Sequence, residues 1–576
     1  MSEEREARKK ATRREFVKGA AVGAAATGAG ILAGCAAPQS EAGPQGPAGP
    51  AGPAGPKGEP GPLITAAGVA YPLKYECDVV VAGSGNGGLS AATAAAKEGA
   101  SVVLVEVSST TGGGSAMCSG SQGIASLALM MAPENTPAYD AYVQFTEGLS
   151  DPALAKVFLE KGAEYLAWVA GIGADGTLVS PMNFLMGTPP PGGWPGGTFG
   201  ARPYFDSLER IFNDAGGTLL LKTRAKILLT DEQGRVAGLR VEDSEGIYDI
   251  KAKAVILCVG GFQGNPELRR KYYGPQADLA TVIGTPYNVG DGLVMAQEVG
   301  ASLSAAMGYF AAGMWPVQFP AFVTPNPMES PQDFESRPYT IDGKYEYEDI
   351  MQYLGPPGYV AVNLDGKRFV DENDKWYRLY QAMIKQPRAT AMMVFDDWMW
   401  QQYGPAQDIR TGTTMEEQFA IREKYGGKLL QASTIEDLAD QLANLGPPVN
   451  VHRANFLETM SEYNAAVAAG TAADLDVPKT GIGFLAGTAA LKPIEQPPFY
   501  AWPVIPGIYM CFGGLAINEK AQVLDQAKRP ITGLYASFPT AGGIFREVYP
   551  ATCVGLAGTF GWIAGNDAAA YAKTVT

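Results

Sequence analysis

Three glycines, Gly83-x-Gly85-x-x-Gly88, separate an apolar run from an alanine-rich one in "ECDVVVAGSGNGGLSAATAAAKEGASVVLVE". Glycines at this spacing bind phosphate without side chains. The first two let the backbone turn tightly and approach a pyrophosphate, and the third lets the following helix pack on the strand. The helix N-terminus then faces the phosphates. Glu106 ends the second apolar run, where its carboxylate can bind a ribose hydroxyl. The other reactive groups are few. The chain has one histidine, His452, and six cysteines. No pair of cysteines has C-x-x-C spacing, so neither a zinc site nor a local iron–sulfur site is indicated, and no c-type haem is attached. A single histidine argues against a His pair or a Ser–His couple. Proton transfer then falls to Tyr, Arg, Lys or a carboxylate. His452, in "VHRANFLETM", reads as a helical surface or packing residue.

The elements around these residues follow from apolar period and glycine placement. Cys77 to Ala82 predicts a buried strand, the alanine-rich run a helix, and the stretch ending at Glu106 a second strand. A second glycine-rich loop, "STTGGGSAMCSGS", comes directly after the acidic strand. A simple NAD domain would continue with another βα unit, whereas a loop here lets backbone approach a large flat cofactor, which favours FAD. From Gly217 to Gly261 the sequence predicts a meander turning at Asp231–Gly234, then a buried strand ending in "CVGG".

At the other end of the chain, "TRREFVKGAAVGAAATGAGILAGC" places Arg13 and Arg14 before a short apolar run that closes at Cys35. It resembles a twin-arginine signal, which exports proteins already folded, and Leu32–Cys35 resembles a lipobox whose cysteine is lipidated. Residues 43–62 repeat glycine at every third position with proline between. This is collagen's repeat, read as an isolated polyproline-II spacer of some 60 Å or as a short triple helix. The net charge is −15, and residues 1–34 carry seven basic and four acidic side chains, so the processed chain is more acidic still. That balance argues against nucleic acid as a partner.

Several ordered motifs resemble the fumarate reductase and 3-ketosteroid Δ1-dehydrogenase flavoprotein family. Beside the fingerprint they are "GTPYNVGDG", "GKRFVDEN", "CFGGLAIN" and "GLYASFPTAGG…TFGWIAGNDAA", spread over Tyr75 to Ala572. The resemblance implies an α/β fold in which a Rossmann-like FAD-binding domain is split by an inserted α+β cap domain. The expected segments are 1–35 for the signal, 36–74 for the spacer, 75–300 and 495–576 for the FAD-binding domain, and 301–494 for the cap. It implies FAD contacts at Gly83, Ser84, Gly85, Gly87, Gly88, Glu106, Gly113, Gly114, Ser115, Gly120, Ala225 and Asp291. Val554, Gly555 and Leu556, at the start of the last helix, would face the flavin, and no metal is implied. A helix N-terminus aimed there stabilises an anionic reduced ring.

The same resemblance exposes departures. Where fumarate reductases place a catalytic arginine, four residues past the glutamate of the "RFVNE" motif, this chain has Trp376, followed by Tyr377 and Arg378. The family's His-His is replaced by Tyr509-Met510, and its second substrate arginine by Tyr549. The ketosteroid enzymes have Y-P-G-P-G at that last place, where tyrosine and glycine amide polarise a ketone; here it reads Tyr549-Pro550-Ala551-Thr552-Cys553, and the Cys553 amide remains a donor. A buried dianion without cationic partners is costly. A neutral, ring-bearing enone is therefore expected, with Tyr377, Arg378 and Tyr549 as catalytic groups and Trp376, Tyr509, Arg546 and Cys553 around the substrate. Arg378 and Arg546 keep a monocarboxylate such as an aryl acrylate open. Electrons would come from outside, through a quinol-linked protein or a cytochrome. The reverse dehydrogenase reaction and a lipid-anchored collagen-like surface protein are the alternatives.

Overall fold

A computed structural model describes residues 71–116, 136–175, 201–317, 340–341, 344–345, 358–374, 376–404, 414–423, 426–480, 482–483, 487–488, 491–550 and 552–575. The export motif, Cys35, the Gly-Pro run and Gly120 lie outside these residues.

The apolar runs beside the glycines become parallel strands. In β1 (Leu73–Ala82) the residues Val79 to Ala82 are fully buried. That is the pattern of a central strand covered on both faces. Its neighbours β2 (Val102–Val105) and β6 (Gly246–Leu257) run parallel to it, and β3 (Thr218–Leu220) extends the sheet beyond β2. Helix α1 (Asn86–Lys97) makes the first crossover. The expected meander is present: β4 (Arg224–Thr230) and β5 (Val236–Asp243) pair antiparallel, and β5 returns along the first half of β6.

The C-terminal segment re-enters this sheet. A late strand, Pro530–Ala536, lies parallel to the second half of β6, with Gln522–Leu524 antiparallel at its outer edge. The last helix, Cys553–Ala572, packs on α1 at close range. A Cβ on Gly561 would lie 2.1 Å from the Gly87 carbonyl oxygen. Only glycine permits that approach, and it seats the start of α1 against the middle of the last helix.

The insertion carries a second, six-stranded sheet. Its strands are β7 (Thr281–Val282), β8 (Phe310–Pro316), β9 (Tyr359–Val362), β10 (Ala391–Asp396), β11 (Leu430–Ala432) and β12 (Phe499–Cys511), which makes the two late strands of the first sheet β13 (Gln522–Leu524) and β14 (Pro530–Ala536). The first half of β12 pairs with β10 and β11, and its second half with β7 and β8. Residues 499–511, placed with the second FAD segment from sequence, thus belong to the inserted sheet, and the chain passes back after Cys511. A strand buried on both faces shows no alternation, so its period does not tell which sheet it joins.

A buried ionic cluster ties the "GKRFVDEN" turn to the cap. Arg368 donates to both Glu372 oxygens, Nε to Oε1 at 3.0 Å and Nη2 to Oε2 at 2.7 Å, and Lys479 Nζ reaches Oε2 at 3.1 Å. The Ala361 amide adds a fourth bond at 2.8 Å. Burial pushes the Glu372 carboxyl up, but the two cations and these bonds together hold it below the usual carboxylate range. His452 caps its helix, its Nδ1 accepting from the Asn455 amide at 3.3 Å.

Candidate active site

The phosphate end of the site is built from backbone. Gly83 has φ +91°, and a Cβ on Gly88 would lie 1.7 Å from the Gly83 carbonyl oxygen. Those two positions hold the turn shut. Gly85 differs: a Cβ there meets only Ser115 Oγ at 3.5 Å and the Gly112 oxygen at 3.9 Å. It caps α1 with no side-chain bond, and Gly113 and Ser115 lie across from it. A Gly113 Cβ would come to 3.7 Å from the Gly85 Cα, and Ser115 Oγ accepts from the Asn86 amide at 3.2 Å. The result is a groove with a glycine floor at a helix N-terminus, a shape that accepts a pyrophosphate.

Glu106 stands at the far end of the groove, where the sequence placed it. Its Oε2 accepts from the Ser84 amide at 2.7 Å and the Ser84 hydroxyl at 2.6 Å, and its Oε1 from the Ser108 amide at 2.9 Å. Burial pushes its pKa up, against those bonds. Ala225 is buried on β4 beside Arg224, and Arg224 grips Asp291 with two bonds of 2.9 Å. Asp291, expected as a cofactor ligand in its own right, is thus half of an ion pair.

One organising residue carried too weak a sequence signal to be singled out. The Asn86 amide donates to the Val554 carbonyl at 2.8 Å and to the Tyr165 hydroxyl at 3.2 Å, and its oxygen accepts from Tyr204 at 3.1 Å. Asn86 lies inside the fingerprint, and Val554 lies in the first turn of the last helix, which with α2 (Pro152–Gly171), α3 (Ala201–Asp214), α4 (Trp376–Met383) and α5 (Arg453–Ala469) is α6 (Cys553–Ala572). The bond locks the pyrophosphate turn to the helix start that carries Val554, Gly555 and Leu556. The groove, the acid and this second helix N-terminus fit FAD.

At the cap side, three phenols converge. Tyr377 is the second residue of α4, Tyr509 lies near the end of β12, and Tyr549 precedes α6. Tyr509 Oη donates to Tyr377 Oη at 2.8 Å. The Tyr377 and Tyr549 rings meet edge to face with centroids 5.2 Å apart, and Phe512 stacks on Tyr549 at 5.8 Å. Tyr377 and Tyr549 are both buried. Burial pushes the Tyr549 phenol well above its ordinary value, so it stays protonated at neutral pH.

The Cys553 amide is placed otherwise than the sequence suggested. It donates to Tyr549 Oη at 3.1 Å instead of pointing alone into the pocket. Tyr549 and Cys553 are four residues apart across the turn into α6, and that spacing folds the amide back onto the phenol. Its effect is to fix the hydroxyl oxygen and make the phenol a stronger donor.

Arg378, expected as a catalytic group, is engaged by protein carboxylates. Its guanidinium pairs with Glu147, with Asp374 at 3.0 Å and with Glu547 at 3.5 Å. The other oxygen of Glu547 accepts from Tyr309 Oη at 2.9 Å. Among the described residues, the Arg546 side chain makes no hydrogen bond or ion pair; its amide donates to the Leu149 carbonyl at 2.9 Å. Trp376 opens α4.

Groove, helix pole and phenols together define a flavoprotein oxidoreductase. The chain belongs to the FAD binding domain family, which it matches over residues 78–556. It is 28% identical over 507 residues to the fumarate reductase (cytochrome) of Shewanella frigidimarina, covering 86% of this chain and 77% of that one. It is 25% identical over 600 residues to the 3-oxosteroid 1-dehydrogenase of Mycolicibacterium smegmatis, covering 87% and 99%. The open conformation of a flavocytochrome c3 fumarate reductase superposes with a TM-score of 0.59 at 25% identity, covering 87% of this chain and 79% of that one. The protein is an FAD-dependent oxidoreductase acting on C=C or CH–CH bonds, with a Rossmann-like FAD domain and a cap, as expected from sequence.

Proposed function

We propose that this protein is an exported, lipid-anchored reductase of a C=C bond conjugated to a ketone, acting on a neutral, ring-bearing enone. The carrying observation is the phenol cluster: a protonated, amide-held Tyr549 beside the hydrogen-bonded pair Tyr377–Tyr509. FAD, when bound, supplies the hydride for one carbon of the double bond. The chain's own groups do the rest. The Tyr549 hydroxyl donates to the substrate carbonyl and holds the negative charge that grows on its oxygen. Tyr377 Oη gives a proton to the carbon next to the carbonyl, and Tyr509 Oη, already donating to it and itself partly exposed, relays the replacement proton in from solvent. Phe512 and Phe545, the latter 5.4 Å from the Tyr549 ring, keep water away.

The motif around Arg13 and Arg14 supports folded export, Cys35 a lipid anchor, and the Gly-Pro run a spacer from the membrane. The electron donor is then a quinol-linked protein or a cytochrome. Arg546, whose side chain has no hydrogen bond or ion pair among the described residues, favours a second reading, an aryl acrylate held by its carboxylate. Dithionite-reduced holoenzyme mixed anaerobically with benzalacetone, cinnamate or fumarate decides between them. Fastest flavin reoxidation by benzalacetone is expected. Fastest reoxidation by fumarate or cinnamate overturns the enone reading.

A further inference from the structure

The cap side of the pocket holds two guanidiniums, Arg378 and Arg546, yet the charge around them is not positive. Three carboxylates, Glu147, Asp374 and Glu547, pair with Arg378 alone. They come from three separate stretches of chain: Glu147 follows the helix Ala138–Phe145, Asp374 lies one turn before Arg378, and Glu547 precedes Tyr549 by two residues. Glu147 has φ +55°, a conformation that a non-glycine residue adopts at a cost. Glu547 is held by a second donor, Tyr309 Oη.

The group lies one step behind the phenols. Arg378 follows Tyr377 on α4. Gln381, one turn along that helix, donates to the Glu547 and Phe310 carbonyls at 3.3 and 3.1 Å. The Phe512 amide donates to the Tyr309 carbonyl at 3.0 Å, and Phe512 stacks on Tyr549. Arg378 and Glu547 are thus tied to the phenols by backbone or as sequence neighbours, and Glu147 joins them through its bond to Arg378. Among the described residues, these three carboxylates stand against two arginines.

We infer that Glu547, with Glu147 and Asp374, is a charge filter that sets substrate specificity: it neutralises Arg378 and disfavours substrates bearing a carboxylate. The inference rests on the proposed enone chemistry and names its selectivity. The cationic side chain next to the proton-donating tyrosine is then a structural tie, and its carboxylate partners discriminate. Without a repulsive element, an arginine at this place would attract acrylates and fumarate alike, so rejection is built in by supplying the anions within the protein.

The filter acts through partly exposed charges, so its size is limited by solvent screening. Removing one charge at about 6–8 Å in a medium of effective dielectric about 40 changes anion binding roughly six- to tenfold. The experiment measures kcat/KM of the intact holoenzyme for cinnamate and benzalacetone, a pair differing in charge but little in shape. The cinnamate-to-benzalacetone ratio should rise roughly six- to tenfold in Glu547→Gln. Glu147→Gln, whose carboxylate is more exposed, should show the same direction more weakly and serves if the first variant folds poorly. The gain should fade at an ionic strength of roughly 0.5 M; a purely structural role would not give that salt dependence. A ratio unchanged in both variants, or raised equally at high salt, overturns the filter. A wild-type enzyme that prefers cinnamate overturns the enone reading itself, so the two failures are distinct.

Discussion

Replacing Tyr549 with phenylalanine removes one hydroxyl and almost no volume. The ring contacts to Phe512, Phe545 and Tyr377, with centroids 5.8, 5.4 and 5.2 Å away, need no hydroxyl and should persist. Two losses follow. The Cys553 amide loses its acceptor at 3.1 Å, and an unsatisfied buried N–H costs about 1–3 kcal/mol of stability. The substrate oxygen loses a donor, and loss of one oxyanion donor costs about 2.7–4 kcal/mol of the activation barrier, or a 10²–10³-fold drop in kcat. Flavin content and visible spectrum should stay close to wild type, because the FAD groove and Glu106 do not touch this hydroxyl. Anaerobic stopped-flow with reduced holoenzyme and benzalacetone measures the chemical step, and denaturant melts measure the stability term. A variant that melts earlier but reduces the enone within about threefold of wild type, far short of that factor, would show that Tyr549 only props the helix start.

Three further outcomes are expected. Gly88→Ala should fail to fold, since its Cβ would overlap the Gly83 carbonyl at 1.7 Å, whereas Gly85→Ala should fold and bind FAD poorly, since only groove space lies ahead of it; circular dichroism and absorbance at the flavin band separate the two. Glu372 titrates below the ordinary carboxylate value of about 4.3, so its stabilisation is present above that value and is lost as pH falls through its own, lower pKa; denaturation against pH should show this acid loss, and Glu372→Gln, which strands Lys479 beside Arg368, should cost roughly 3–5 kcal/mol at neutral pH. Arg13→Lys with Arg14→Lys should hold the protein in the cytoplasm, and Cys35→Ser should release it from the membrane fraction; membrane-exterior protein in the double-lysine variant would refute folded export.

The parts of the fold legible in sequence are those whose signal is local. The strand before Gly83, the turn, the helix and the acid at Glu106 all lie within one short stretch, and each is dictated by backbone sterics or by burial on both faces. The meander at Asp231–Gly234 is local in the same way. What sequence could not show depends on distant partners. β12 has no alternation, so nothing in it says that its first half pairs with β10 and its second half with β8. Asn86 is a plain x in the fingerprint, and its bond to Val554 spans most of the chain. Tyr377, Tyr509 and Tyr549 were each marked, and the fold gathers them. Their roles follow from who donates to whom.

Arg378 shows how residue type and charge state come apart. Beside a tyrosine and near a glycine-rich cofactor site, an arginine reads as an anion ligand. Its worth to a substrate carboxylate is set by whether other carboxylates already use it, and Glu147, Asp374 and Glu547 are remote from one another in sequence or carry no pattern. An ion pair that must be broken to admit a substrate returns little net binding, because the new bond replaces an old one and a displaced carboxylate must be resolvated. A phenol costs less to leave waiting. Burial keeps Tyr549 protonated, one amide fixes it, and its proton meets full negative charge only as that charge forms on the substrate. On the proposed enone reading, exchanging cationic substrate ligands for tyrosines leaves the hydride-transferring end of the fold intact and moves the recognised group from carboxylate to ketone.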